Sequence, residues 1–339
     1  MRICICGGGS LGHVCAGVLS SHSDVELSLL TSRPEHWSKQ IRVGDPKGQS
    51  FLASFKYISD NPREVVSGQD VILLCLPGYM LEKTLHQIRP FIGNAKVGSV
   101  VSSTGFFFFA HRILGEKAKL FGFQRVPFIA RIEDYGKSAH LLGYKKELCI
   151  ATENIPKSEE FRHTIEHLFG TPTRLANCIY EVALSNSNPI LHTGRLYSIF
   201  FGRDEDVFDA PILFYKSWTD EASRLVLAMD EEFFRLLEVL EVHGIKRLAD
   251  YYESATASAL SGKIRSIEAF QTIQTPMVPC EGGWKADFSS RYFTEDFPYG
   301  LRWIREEAEI NGVHIPTINK VYQWGMECLN REGNNNRGE

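Results

Sequence analysis

Arg2-Ile3-Cys4-Ile5-Cys6-Gly7-Gly8-Gly9-Ser10-Leu11-Gly12 is the stretch whose reading decides the fold. A short apolar run of β-forming residues feeds directly into G-x-G-x-x-G, with its glycines at Gly7, Gly9 and Gly12. Each glycine answers a separate need. Gly7 permits a tight turn, Gly9 lets the backbone approach a pyrophosphate, and Gly12 lets the following helix pack closely on the strand. The helix spacing covers residues 11–19, and its first N–H groups, near Ser10 and Leu11, would face the anion together with the positive end of the helix dipole. A second apolar run at residues 25–30 completes the strand, helix, strand context that a dinucleotide fingerprint requires.

Outward from this unit, residues 69–77 form a continuous apolar run closed by Pro77, the pattern of a central parallel strand buried on both faces. Residues 97–101 read as the next strand. Ligands of such sheets sit beyond the carboxyl ends of the strands, so Leu76, Pro77 and Thr104 are expected beside the coenzyme. The four phenylalanines at 106–109 read as the buried start of a helix. Residues 141–150 read as two short strands around a turn, and residues 159–169 as a helix. Beyond about residue 177 the apolar period lengthens to that of helices, over residues 220–242, 301–310 and 318–329. These patterns predict an α/β doubly wound parallel sheet of the Rossmann type over residues 1–172, an all-α domain over 173–330 and a frayed tail over 331–339.

The chain has 339 residues, 43% of them apolar and 23% charged, enough for about two domains with full cores. A net charge of −4 gives no basic footprint, so neither nucleic acid nor an anionic membrane is expected as a partner. Eight scattered cysteines, most within apolar runs, read as reduced core residues. With a first strand that starts at residue 2 and no apolar run of membrane-spanning length, they predict a cytoplasmic setting without a leader peptide. No metal site is expected.

Where NAD-selective folds carry an acidic residue for the ribose hydroxyl, the end of the second strand here reads Thr31-Ser32-Arg33. No carboxylate stands in that segment, and Arg33 offers a fork suited to a 2′-phosphate, with Ser32 beside it. NADP is therefore the expected coenzyme, with NAD as the alternative.

Two segments of the helical half carry polar groups that a packed bundle does not require: Ser185-Asn186-Ser187-Asn188-Pro189-Ile190-Leu191-His192, and Arg291-Tyr292-Phe293-Thr294-Glu295-Asp296-Phe297-Pro298-Tyr299-Gly300-Leu301. With the glycine fingerprint and the stretch from Phe214-Tyr215-Lys216 through Asp230-Glu231, they make the whole chain resemble the opine dehydrogenases, of the octopine and nopaline type. The resemblance implies a helical domain of the octopine dehydrogenase and 6-phosphogluconate dehydrogenase type, and NAD(P)H-dependent condensation of an amino acid amine with a 2-oxo acid. It implies His192 and Asp296 as an acid–base dyad, Arg291 as the residue that binds substrate carboxylate, and Asn188 as a weaker substrate contact.

The residue types suit that chemistry. Imine formation needs a proton donor at the departing oxygen, and histidine titrates closest to neutrality. A neighbouring carboxylate would fix its tautomer. A guanidinium fork can hold a carboxylate at two points. Taken singly, each residue also has a plain structural role open to it: a satisfied interior histidine, a helix-capping aspartate, and an Arg291–Glu295 surface pair. A ketopantoate-reductase-like enzyme would share the layout, but needs a lysine where Tyr180 stands. A non-catalytic NADP sensor would have no use for the His192, Asp296 and Arg291 set. Homodimerisation is left open.

Overall fold

The computed structural model describes residues 1–335, with side chains through residue 332. The chain divides into two compact units, Met1–Ser185 and Asn186–Glu339.

In the first unit the elements run β1 (Arg2–Cys6), α1 (Ser10–Leu19), β2 (Glu26–Leu30), β3 (Gln40–Gly44), β4 (Ser50–Ser59), α2 (Pro62–Val66), β5 (Val71–Leu74), α3 (Gly78–Ile88), β6 (Lys96–Ser99), α4 (Phe106–Leu114), β7 (Leu120–Phe123), β8 (Phe128–Asp134), β9 (Ser138–Tyr144), β10 (Leu148–Glu153), α5 (Ser158–Phe169), β11 (Thr173–Leu175) and α6 (Ile179–Ala183). Among the described residues the strands form one sheet in the order β11-β10-β7-β6-β5-β1-β2-β4-β3-β9-β8. From β7 to β4 every neighbour is parallel, with Ile3 opposite Leu27 on one side and Val71 on the other. The Rossmann expectation holds for this stretch. The pairs β3/β4, β8/β9 and β7/β10 are antiparallel.

β1 and β5 are buried along nearly their whole length because helices cover both faces of a parallel sheet. Phe106, Phe107, Phe108 and Phe109 open α4 and are all buried, as the sequence predicts. Residues 141–150 do supply parts of two strands, but β9 pairs with β8 and β3 while β10 pairs with β7 and β11. They are sheet neighbours of other elements, not of each other. β3 and β4 lie in a segment that the sequence analysis left unassigned, and β3 shows the alternating burial of a half-covered strand.

The second unit contains α7 (Asn188–Phe200), α8 (Asp220–Val239), α9 (Leu248–Tyr251), α10 (Ala257–Ser266), β12 (Met277–Cys280), β13 (Gly283–Ala286), α11 (Arg291–Thr294), a π-helical turn at Phe297–Leu301, α12 (Arg302–Ile310) and α13 (Pro316–Asn335). It is helical but not all-α, since β12 and β13 pair as a hairpin. The tight connection is made by Gly282 and Gly283 at φ 84° and 151°, a region that favours glycine. α8 starts where the Thr219 hydroxyl accepts from the Ala222 N–H, with Asp220 and Glu221 in the first turn to complement the dipole. Its buried Glu232 accepts the N–H groups of Thr317 and Ile318 at 2.9 Å each, which caps α13 from across the bundle. The tail expected from Arg331 instead continues α13 through Asn335, with the Arg331 guanidinium 2.8 Å from Asp204. Residues 336–339 of that tail lie outside the described residues.

Candidate active site

The carboxyl ends of β1, β2 and β5 meet where the sheet order reverses direction, the place where open α/β sheets leave a crevice. The Gly7 N–H donates to the Leu30 carbonyl at 2.9 Å and the Cys75 N–H to that of Cys6 at 2.8 Å, so the glycine turn is stitched between its neighbours. Gly7 sits at φ 118°, and a Cβ there would lie 2.6 Å from the Cys75 carbonyl oxygen. A Cβ at Gly12 would fall 2.0 Å from the Gly7 carbonyl oxygen, whereas one at Gly9 would meet nothing within 4 Å. Gly7 and Gly12 therefore serve the fold, and the face of Gly9 is left open. α1 has no side-chain cap and no acidic residue in its first turn, so its leading N–H groups are free to meet an anion. This arrangement fits a dinucleotide pyrophosphate.

A groove of about 510 Å³ opens there, lined by Gly7, Gly9, Ser32, Arg33 and Leu76 of the expected residues. Ser10, Leu11 and Gly12 form the start of α1 beneath it. Pro77 is the residue before α3, and the Thr104 hydroxyl donates to the Val101 carbonyl at 3.2 Å; neither lines the groove. The segment of Pro77 still reaches the groove through Leu76 and through Tyr79 and Lys83 of α3.

Several groove residues escaped the sequence analysis, Asp60, Lys83 and Tyr135 among them. Asp60 arrives because β4 pairs with β2 and the Thr31 N–H donates to the Ser59 carbonyl at 3.1 Å, which sets the next residue beside Thr31 and Ser32. The segment at 31–33 holds no carboxylate, but the folded groove does. Lys83 reaches it from α3, and Tyr135 from the β8–β9 turn, where the Arg33 guanidinium lies 5.4 Å from the Tyr135 ring centre. His13 ties that turn to the glycine loop. Its Nε2 accepts from the Gly136 N–H at 2.9 Å, so the neutral ring carries its proton on Nδ1 and donates to the Gly9 carbonyl at 3.0 Å. Burial holds the His13 pKa below the ordinary 6.5, in keeping with this tautomer.

In the second unit, the two polar segments meet. His192 lies in the second turn of α7, and its Nδ1 is 2.8 Å from Asp296 Oδ2 although 104 positions separate them. The side chains are 12% and 17% exposed, so the pair is shielded but reachable. Asp296 stands at the entry to the π-helical turn without capping it by its side chain; the carboxylate is committed to His192 instead. Gly300 explains why Asn-Pro and Pro-Tyr-Gly occur together. A Cβ on Gly300 would lie 2.5 Å from Pro189 Cγ, so glycine lets the start of α7 press against the π-helical turn and brings His192 level with Asp296. π-helical turns of this kind often mark functional sites.

Other residues complete the surroundings. Tyr292 packs its ring 4.8 Å from that of His192, and Tyr215 Oη lies 2.9 Å from His192 Nε2. Burial raises both phenols above the ordinary tyrosine value, with Asp296 adding to the effect. Sequence analysis did not find the Tyr215 contact, since a loop residue outside any periodic pattern carries no spacing signal. Arg291 is 83% exposed at its side chain and forms a two-point pair with Glu295 at 2.8 and 2.9 Å. The surface pair foreseen for it is thus present, although Arg291 adjoins Tyr292. Asn188 is exposed at the first position of α7.

Residues 175–329 match the family described as NAD/NADP octopine/nopaline dehydrogenase, alpha-helical domain. Tauropine dehydrogenase of Arabella iricolor is 26% identical over an alignment spanning 97% of this chain and 91% of its own length. Octopine dehydrogenase of Pecten maximus is likewise 26% identical, over 98% and 91%. An octopine dehydrogenase structure with NADH and L-arginine superposes with a TM-score of 0.87 at 23% identity, covering 97% of this chain and 90% of that one, which establishes the shared fold. Over residues 175–329, and along nearly its whole length in alignments with these relatives, the chain is similar to the octopine/nopaline dehydrogenases.

Proposed function

We propose that the chain is an NAD(P)H-dependent opine dehydrogenase that joins the amine of an amino acid to a 2-oxo acid and reduces the resulting imine to a secondary amine. The observation that carries the reading is the 2.8 Å contact between His192 and Asp296, two partly shielded groups 104 positions apart. Bound NAD(P)H supplies the hydride. The remaining chemistry falls to this chain's own side chains.

With Nδ1–H donated to Asp296, the carboxylate fixes the imidazole tautomer and orients the ring, so that His192 can give up a proton as the carbonyl oxygen leaves as water. Arg291 is proposed to hold the carboxylate of the 2-oxo acid, exchanging its two-point pair with Glu295 for an equivalent one. Asn188, exposed at the start of α7, is the accompanying polar contact.

NADP is the preferred coenzyme in this reading. Arg33 and Lys83 outnumber Asp60 among the charged side chains lining the groove, and the net positive charge favours a 2′-phosphate. Arg33→Ala should then weaken NADPH more than NADH. The free state of all eight cysteines is consistent with a reducing cytoplasmic setting.

The test is coenzyme consumption over a grid of amino acids and 2-oxo acids, with product mass measured. The expected result is oxidation of NADPH only when both substrates are present, with a product equal to their sum less one oxygen. Reduction of a 2-oxo acid alone, to a hydroxy acid, would replace the reading with a simple 2-oxo-acid reductase.

A further inference from the structure

Both nitrogens of His192 are occupied: Nδ1 by Asp296 and Nε2 by the hydroxyl of Tyr215 at 2.9 Å. Neither ring nitrogen is left to meet a substrate directly. The Nδ1 proton is engaged by the Asp296 carboxylate and is not free to reach a substrate, whereas a phenol can accept a proton and release another from the same oxygen.

Tyr215 is also held with unusual care for a loop residue. Its ring stacks on Phe270 with centres 4.3 Å apart and lies nearly parallel to Trp218 at 6.2 Å. The buried guanidinium of Arg195, one turn beyond His192 on α7, donates through Nε to the Phe214 carbonyl at 2.9 Å and through Nη2 to that of Ser217 at 2.8 Å. Those carbonyls bracket Tyr215. One helix therefore fixes both the imidazole and the loop that presents the hydroxyl to it. An arginine buried against carbonyl oxygens is costly to keep in a core unless the geometry it enforces has a use.

The geometry points to Tyr215 as the relay through which His192 exchanges its proton with the substrate. The inference rests on the acid–base reading of His192 given above. In the acid form Nε2–H would donate to Tyr215 Oη, and the phenol would pass its own proton to the substrate. As the substrate oxygen takes that proton, a new O–H bond forms there and the phenol O–H breaks. The Nε2 proton moves onto Oη, the imidazolium becomes neutral, and Tyr215 ends as the phenol it began. No electrons change hands. The raised pKa of Tyr215 agrees with a hydroxyl that never persists as phenolate.

Tyr215→Phe keeps the stacked ring and removes only Oη. It should lower kcat by about 10²-fold while KM for the 2-oxo acid and for coenzyme stay within about two-fold of wild type. The groups facing His192 are Asp296, Tyr292 and Tyr215, with Arg195 on its own helix. Loss of the Tyr215 hydroxyl deprives the charged ring of more than the neutral one, so the alkaline limb of the kcat profile should move to lower pH. A kcat within about three-fold of wild type would overturn the relay, and so would a kcat loss that leaves the pH profile in place, the mark of a merely structural residue. His192→Gln, assayed in parallel, separates the two levels: full activity there refutes the acid–base reading itself, whereas an inactive His192→Gln beside an active Tyr215→Phe refutes only the relay.

Discussion

Asp296→Asn isolates the contribution of the carboxylate while preserving its shape. The contact with His192 is 2.8 Å, and the side chains are 12% and 17% exposed, so solvent and salt screen the pair less than a surface ion pair. A hydrogen bond to a charged group contributes about 1.5–3 kcal/mol. At about 1.4 kcal/mol per decade of rate, its loss in the state where the imidazole is charged should lower kcat by roughly 10- to 150-fold. Asn can still accept the Nδ1 proton through its amide oxygen, which keeps the loss below that of removing the imidazole. The dinucleotide groove is lined by residues of the first unit only, so coenzyme affinity should not change. Steady-state coenzyme oxidation, with coenzyme binding followed by nucleotide fluorescence, measures both quantities. A variant with wild-type kcat would show that the carboxylate is structural, and a large loss of coenzyme affinity would show that its effect is not confined to the acid–base pair.

The glycine turn should separate ligand from fold. Gly9→Val places its side chain in open space and should weaken NADPH binding by about tenfold or more with little change in melting temperature. Gly12→Ala drives a Cβ into the Gly7 carbonyl and should cost about 1–3 kcal/mol of stability, read by denaturant unfolding. Arg291→Lys should raise KM for the 2-oxo acid more than it lowers kcat, because a point charge does not replace a two-point fork; unchanged kinetics would leave Arg291 as the surface partner of Glu295. Asp230 is buried in α8, and burial raises its pKa from 3.8 to about 6. Because the fold disfavours its ionised form, the contribution of Asp230 to stability is most favourable below about pH 4, falls as pH rises, and is lower by about 3 kcal/mol above pH 6. Asp230→Asn keeps an acceptor for the Leu248 N–H and should stabilise the protein at pH 8 but not at pH 4; equal melting shifts at both would refute the assignment.

Local signals made the elements around the coenzyme readable. A glycine fingerprint is tied to backbone geometry, and strands buried on both faces show as unbroken apolar runs, as in Val71–Leu74. The half-exposed strands β3, β4 and β8 were less legible, since their polar alternation resembles loop composition. Asp60 and Tyr135 were missed for that reason: they reach the groove only through the pairing of those strands. The meeting of His192 with Asp296 was legible through motif resemblance, and the reason for the motif emerged from packing, with Gly300 against Pro189. Tyr215 lies in the Phe214-Tyr215-Lys216 stretch that carries part of the resemblance, but nothing in that stretch pointed to its contact with His192. Its contact depends on the carbonyls that Arg195 grips, a relation between α7 and a loop that no periodicity encodes.

The central claim is that an imidazole in the helical unit supplies the proton chemistry while the glycine turn supplies the coenzyme site. The most direct test is His192→Ala, assayed at saturating NADPH with the best amino acid and 2-oxo acid pair, with NADPH affinity measured on the same sample. kcat should fall by about 10²–10⁴-fold with unaltered NADPH affinity. Turnover at the wild-type rate would show that the imidazole takes no part in the proton chemistry.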